Sequence, residues 1–183
     1  MQVYEFVDEG LGHSSYVIDL GDGTAAIVDP PRFPVDQEAL IDRSDWRLVW
    51  TIDTHSHADY VTGSPGLVAR RGVTFIAPVA SNLETSHQAT GNGERVSLAR
   101  GVTLTAIATP GHTPDHCAYT LEVDSVPVAL FTGGSLMVGT VGRTDLCGPE
   151  LAVPLAHEMF HSLHRFDHLP DTCLLYTSDA ADE

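Results

Sequence analysis

Short apolar runs broken by turn residues dominate the first two thirds of the chain. Val3–Val7, Tyr16–Leu20 and Ala25–Val28 read as strands, and Gly21-Asp-Gly23 between the second and third is a hairpin signal. Asp29-Pro-Pro31 stops the third strand, because proline cannot donate to a ladder. Val35–Ile41 predicts a short helix. Leu48–Ile52 predicts a buried strand that runs into Asp53-Thr-His-Ser-His-Ala-Asp59. Pro65–Arg71 predicts a helix. Val73–Ala77, Val96–Leu98, Val102–Ala108, Cys117–Val123 and Val126–Phe131 predict further strands. Glu150–His168 is the longest helical stretch, with Leu155, Met159, Phe160, Leu163 and Phe166 as its apolar stripe. Many short strands with few helices point to an α/β layered sandwich.

Composition narrows the class. A chain of 183 residues, 43% hydrophobic and 19% charged, has the balance of one globular domain. No apolar run approaches the roughly 18–20 residues of a membrane helix. Nine basic against 25 acidic residues give a formal net charge of −16, which argues against nucleic acid or an anionic membrane as partner. The N-terminus lacks a basic region followed by an apolar stretch, so a cytoplasmic protein is the expectation. Three cysteines, Cys117, Cys147 and Cys173, are too few for a disulfide framework. The segment Cys173-Leu-Leu-Tyr-Thr-Ser-Asp-Ala-Ala-Asp-Glu183 resembles the translation of a transposase end plus sequencing adapter. It is read as a non-native scar to be excluded from fold reasoning, the natural sequence then stopping near Thr172, with a natural acidic C-terminus as the alternative.

Ten histidines are the chemical signal. Thr54-His-Ser-His-Ala-Asp-Tyr60 sets His55, His57 and Asp59 within five residues directly after a strand. Two imidazoles and a carboxylate suit zinc or iron. His112 follows the sharp turn of Pro110-Gly111 at another strand end. Asp29, at a third strand end, is a candidate to orient a ligand histidine, with a turn cap as the alternative. Arg143 is a candidate for a substrate carboxylate, with an Arg143–Asp145 pair as the alternative.

His55-x-His57-x-Asp59, Pro110-Gly-His-Thr113, Phe131-Thr-Gly133 and Gly142-Arg-Thr-Asp-Leu146 resemble the metallo-β-lactamase superfamily. Within it they are most similar to the persulfide dioxygenase and glyoxalase II branch, whose members are often fused to a rhodanese domain. Gly12-His-Ser-Ser-Tyr16 and Ala26-Ile-Val-Asp-Pro30 fit its first hairpin. The resemblance implies an αββα sandwich with a metal at one edge of the two sheets. It also implies that residues 1–172 form one such domain, truncated at its C-terminus.

Two departures bear on the chemistry. Two-metal hydrolases of this superfamily carry a histidine where Tyr60 stands, which disfavours a second metal. The dioxygenase branch holds one Fe(II) with two histidines and an aspartate; those positions are His55, His112 and Gly134. Glycine supplies no ligand, so His57, Asp59 or a water held by Ser135 is left to complete the site. The implied reaction is oxidation of glutathione persulfide. The alternatives are a Zn(II)-dependent thioester hydrolase of the glyoxalase II type and a catalytically silent domain. His157-Glu-Met-Phe-His161 also matches a zincin pattern, but His157, His161, His164 and His168 share one helix face away from the apolar stripe. That reads as a solvent-exposed face.

Overall fold

A computed structural model describes residues 1–178; residues 179–183 of the C-terminal segment lie outside the described residues. The strands are β1 (Gln2–Asp8), β2 (His13–Asp19), β3 (Thr24–Val28), β4 (Arg47–Ile52), β5 (Thr74–Pro78) and β6 (Gln88–Thr90), followed by β7 (Arg95–Ala99), β8 (Val102–Ala108), β9 (Cys117–Val123) and β10 (Val126–Gly133). A small hairpin, β11 (Leu136–Met137) and β12 (Thr140–Val141), precedes β13 (Leu174–Thr177). The helices are α1 (Val35–Arg43), α2 (Ser64–Arg71) and α3 (Pro149–Leu163). None is long and apolar enough to cross a membrane.

Two sheets pack face to face. The first has the order β1-β2-β3-β4-β5-β6, antiparallel through β3 and parallel from β3 to β6. The second runs β13-β10-β9-β8-β7. Alternation sorts the side chains. Tyr16, Ile18, Val28, Ile52 and Ile76 of the first sheet meet Leu104, Tyr119, Leu121 and Phe131 of the second in a dry interior. The opposite face of the first sheet, with Val17, Ile27 and Leu48, is covered by Leu40 and Ile41 of α1 and Leu67 of α2. On the outer face of the second sheet, Ile107, Ala118 and Leu130 lie under Phe166 and Leu169. The order of layers is therefore helix, sheet, sheet, helix.

The predicted strands and helices are present with ends shifted by a few residues, and three differences matter. The helical stretch 150–168 breaks after Leu163 into a tight 3-10 turn, His164–Phe166. The strand predicted to stop at Phe131 continues to Gly133. Most consequential, part of the segment excluded from fold reasoning is a strand. Leu174–Thr177 pairs in parallel with Ala129–Gly133 of β10. Tyr176 packs its ring against Tyr16 (5.1 Å) and Phe131 (5.3 Å). The Tyr16 hydroxyl donates to the Thr177 carbonyl, and Ser14 N–H donates to the Ser178 carbonyl (2.7 Å). Tyr176 carries the packing of this edge strand, while Leu174 and Leu175 remain exposed.

A chain ending at Thr172 therefore loses an edge strand and the cover over two core aromatic rings. It is expected to be less stable than the 183-residue chain by about 2–4 kcal/mol, read as a lower urea midpoint.

Candidate metal-binding site

Three strand ends on one rim of the sandwich deliver the chemistry. Parallel pairing of β3 with β4 sets Asp29 beside Thr54, with Asp29 N–H bonded to the Ile52 carbonyl (2.8 Å). Parallel pairing of β4 with β5 fixes Asp53 through the Ile76 carbonyl (3.0 Å). The Thr54 carbonyl crosses to the second sheet, where it accepts from Cys117 N–H (2.8 Å). The loop after β4 is thus pinned to both sheets.

Asp29 is fully buried and organises what surrounds it. Its Oδ1 accepts from Thr54 N–H (2.7 Å) and from His57 Nε2 (3.2 Å); its Oδ2 accepts from the Thr54 hydroxyl (2.9 Å) and from Ser178. Its carbonyl accepts from His13 Nε2 (2.9 Å). Burial opposes ionisation. The His57 hydrogen bond, the neighbouring imidazoles and Ser178 outweigh it, so the carboxyl is held well below the usual carboxylate range.

These partners set the tautomers of three clustered rings. His55 and His57 lie with centroids 4.0 Å apart, and His55 and His112 5.2 Å apart. His57 gives its Nε2 hydrogen to Asp29. His55 Nδ1 lies 2.9 Å from the Thr54 hydroxyl, whose own hydrogen goes to Asp29, so Nδ1 is the donor. His112 Nδ1 donates to the Arg143 carbonyl (3.0 Å). In the neutral rings the lone pairs then sit on His55 Nε2, His57 Nδ1 and His112 Nε2. Metal-binding histidines show this arrangement, in which the second nitrogen donates to a carboxylate, hydroxyl or carbonyl. The donor chemistry thus fits one divalent metal. Among the described residues, no three His, Cys, Asp or Glu side chains already stand around one point at metal-holding distance.

The remaining predicted residues sort as follows. Asp59 is exposed. Tyr60 stacks on His57 (4.2 Å) and on His13 (4.3 Å). Arg143 donates through Nε and Nη2 to Asp145 (2.7 and 3.0 Å), the pair weighed above as the alternative to a substrate contact. Its carbonyl touches the histidine cluster through His112. Gly134 is buried, and its N–H donates to His116 Nε2 (3.1 Å). His157, His161, His164 and His168 are all exposed, as a solvent-facing helix side requires.

Sequence reasoning missed two members of the site. His116 stacks on His55 at 4.8 Å. Its Nδ1 donates to the Thr109 hydroxyl (2.8 Å), so the Nε2 lone pair is taken up by Gly134 and the ring is structural. Burial and the neighbouring His112 push it down to about 3, which keeps it neutral. Asp115 accepts from Ser56 N–H (3.0 Å), Ser56 Oγ (2.6 Å) and Ser81 Oγ (2.8 Å), lashing the His55 loop to the His112 turn. The signal available was Thr113-Pro-Asp-His116, a second polar cluster directly after the His112 turn. Gly133 completes the wall: its φ is +52°, and a Cβ there would stand 2.5 Å from both His116 Nε2 and Thr54 Oγ1.

The sequence of residues 8–171 matches the family model of the metallo-beta-lactamase superfamily. The chain belongs to that superfamily. It is 32% identical over 168 residues to the mitochondrial persulfide dioxygenase ETHE1 of Mus musculus, covering 88% of this chain and 62% of that protein. It is 30% identical over 158 residues to a hydroxyacylglutathione hydrolase of Pseudomonas savastanoi pv. phaseolicola, covering 86% and 58%. It therefore spans about three fifths of the length of these curated relatives. A metallo-beta-lactamase from Staphylococcus aureus superposes with a TM-score of 0.90 at 25% identity, covering 99% of this chain and 56% of that one. ETHE1 from Myxococcus xanthus gives 0.86 at 29% identity, covering 100% and 77%.

The Asp53 carboxyl supplies a pH test. Burial and the nearby Asp29 charge push it up to about 7, although Ser64 (2.6 Å) and Thr62 (3.0 Å) donate to it. A raised carboxyl pKa means the native state binds more protons than the unfolded chain between about pH 4 and 7, so stability falls as pH rises through that window. Asp53→Asn keeps the acceptor oxygen and removes the titration. In metal-free protein it is expected to stabilise the chain at pH 8 relative to pH 5, on the order of 1–3 kcal/mol, measured by urea unfolding at both values.

Proposed function

We propose that this chain is a mononuclear metal-dependent enzyme of the persulfide dioxygenase type, with His55, His57 and His112 as the residues that would hold one Fe(II). The observation that carries the reading is the set of three imidazoles whose outward nitrogens each donate to a protein acceptor. His57 takes the role of completing the set, because Asp59 is exposed and position 134 is glycine. Tyr60, in place of a histidine, leaves the second metal of the hydrolases without a ligand there. Similarity to ETHE1 proteins supports the substrate class, a persulfide of a small thiol such as glutathione.

A ferrous ion held there would supply an oxygen-activating centre and an anchor for sulfur. The net reaction converts persulfide, dioxygen and water to thiol and sulfite with release of two protons. The chain's part is orientation: Asp29 and the Arg143 carbonyl hold the rings, and His116 with Gly133 closes the wall behind them. A fused sulfur-transfer domain of the rhodanese type in a longer form of the protein would fit this chemistry.

The deciding measurement is metal content with activity, on the chain as it stands and on Gly134→Asp. About one iron per chain, with oxygen uptake dependent on glutathione persulfide, is the expected result. Zinc with hydrolysis of a hydroxyacylglutathione would replace this reading with the thioester hydrolase. Iron only in Gly134→Asp would mean a silent domain on an intact scaffold. Asp29→Asn is expected to weaken metal binding about 10–100-fold, because the amide cannot accept from every donor around it; equal affinity would remove Asp29 from the assignment.

A further inference from the structure

The outer face of the second sheet carries a cavity that the histidine site does not use. Its volume is about 460 Å³, within the range of small-ligand pockets. Thr105 and Thr120, directly paired across β8 and β9, form its floor beside Ile107. Leu169 and Arg165, from the turn after α3, overhang it.

Two polar features point to a ligand. Thr120 is 3% exposed and its hydroxyl is buried without a hydrogen-bond partner among the described residues, although it lines an open cavity. A buried hydroxyl left unsatisfied costs about 1–3 kcal/mol, a cost that a ligand atom would relieve. The second feature is local charge. All nine basic residues of this acidic chain are arginines, and one of them, Arg165, lines the cavity. Arg165 is anchored by the Ala108 carbonyl (2.6 Å) through one Nη, leaving the rest of its donor fork beside the cavity. Arg95 makes two bonds to Glu122 (3.0 and 2.8 Å), and Thr105 makes a third (2.6 Å), so the lining carboxylate is already neutralised. His168 adds a further donor at the mouth.

We infer that this cavity binds a small apolar carboxylate, its hydrocarbon end against Ile107 and Leu169, its carboxylate on Arg165, and Thr120 hydrogen-bonded to it. The site is separate from the histidine cluster and does not depend on the function proposed above.

Hexanoate is the probe, titrated into the full chain and followed by amide chemical shifts, beside hexylamine and hexanol. Saturable shifts centred on residues 105, 107, 120 and 169 are expected for hexanoate, with hexylamine at least tenfold weaker. Arg165→Gln should weaken hexanoate about tenfold, the size of one charge-assisted contact. Thr120→Val keeps shape and fold, loses only the hydroxyl, and should weaken it severalfold. Equal binding of hexanoate and hexylamine overturns the proposal. So do shifts centred on residues 54–57 and 112, absence of saturation, or unchanged affinity in both variants.

Discussion

One buried carboxylate holds the functional rim together. Asp29 has no contact with water, and an ionised carboxylate there is tolerable only because its oxygens are met by donors. Those donors come from Thr54 in the loop after β4, from His57 three positions further on, and from the residue after β13. Its carbonyl adds His13 at the start of β2. Asp29 adopts φ +47°, an unfavourable conformation for a residue with a side chain, which turns the chain out of β3 and keeps the carboxylate under the histidine loop. Local strain at this point is offset by four hydrogen bonds that no extended conformation would make.

The consequence is that ring orientation in the cluster is inherited from the sheet. His57 is aimed by Asp29, and His55 by a threonine that Asp29 itself holds. His112 is aimed from the other side by a backbone carbonyl, and its turn is tied to the His55 loop through Asp115. Asp29, Thr54, His55 and His112 are themselves buried. Imidazoles held by a rigid framework lose little entropy on taking a ligand, the condition for a preorganised site.

How much of this was readable in the chain follows from the range of each interaction. Strands such as Val102–Ala108 and Cys117–Val123 declare themselves because one face enters the dry interior and alternation records it. His55, His57 and His112 declare themselves by spacing. Gln88–Thr90 does not, because a three-residue polar edge strand has no alternation to show. Leu174–Thr177 resembles adapter sequence and leaves both leucines exposed, so only its pairing with β10 and the packing of Tyr176 reveal it as part of the fold. The bond from Ser178 to Asp29 spans 149 residues, and no local pattern encodes it. His116 escaped notice because its role is fixed by the backbone of Gly134, a partner visible only once β10 lies beside the His112 turn.

Gly134 changes the electrostatics more than the packing. Where relatives in the dioxygenase branch place a carboxylate, this chain offers a backbone N–H, and that group is spent on His116. The proposed donor set is then three neutral imidazoles, with the nearest fixed negative charge one shell back on Asp29. A divalent ion held this way keeps more of its positive charge than one with a carboxylate in its first shell. Such a centre would favour an anionic ligand, and a persulfide or thiolate sulfur is one. In the proposed site, glycine at position 134 would thus favour the proposed substrate class at the expense of affinity for the metal itself.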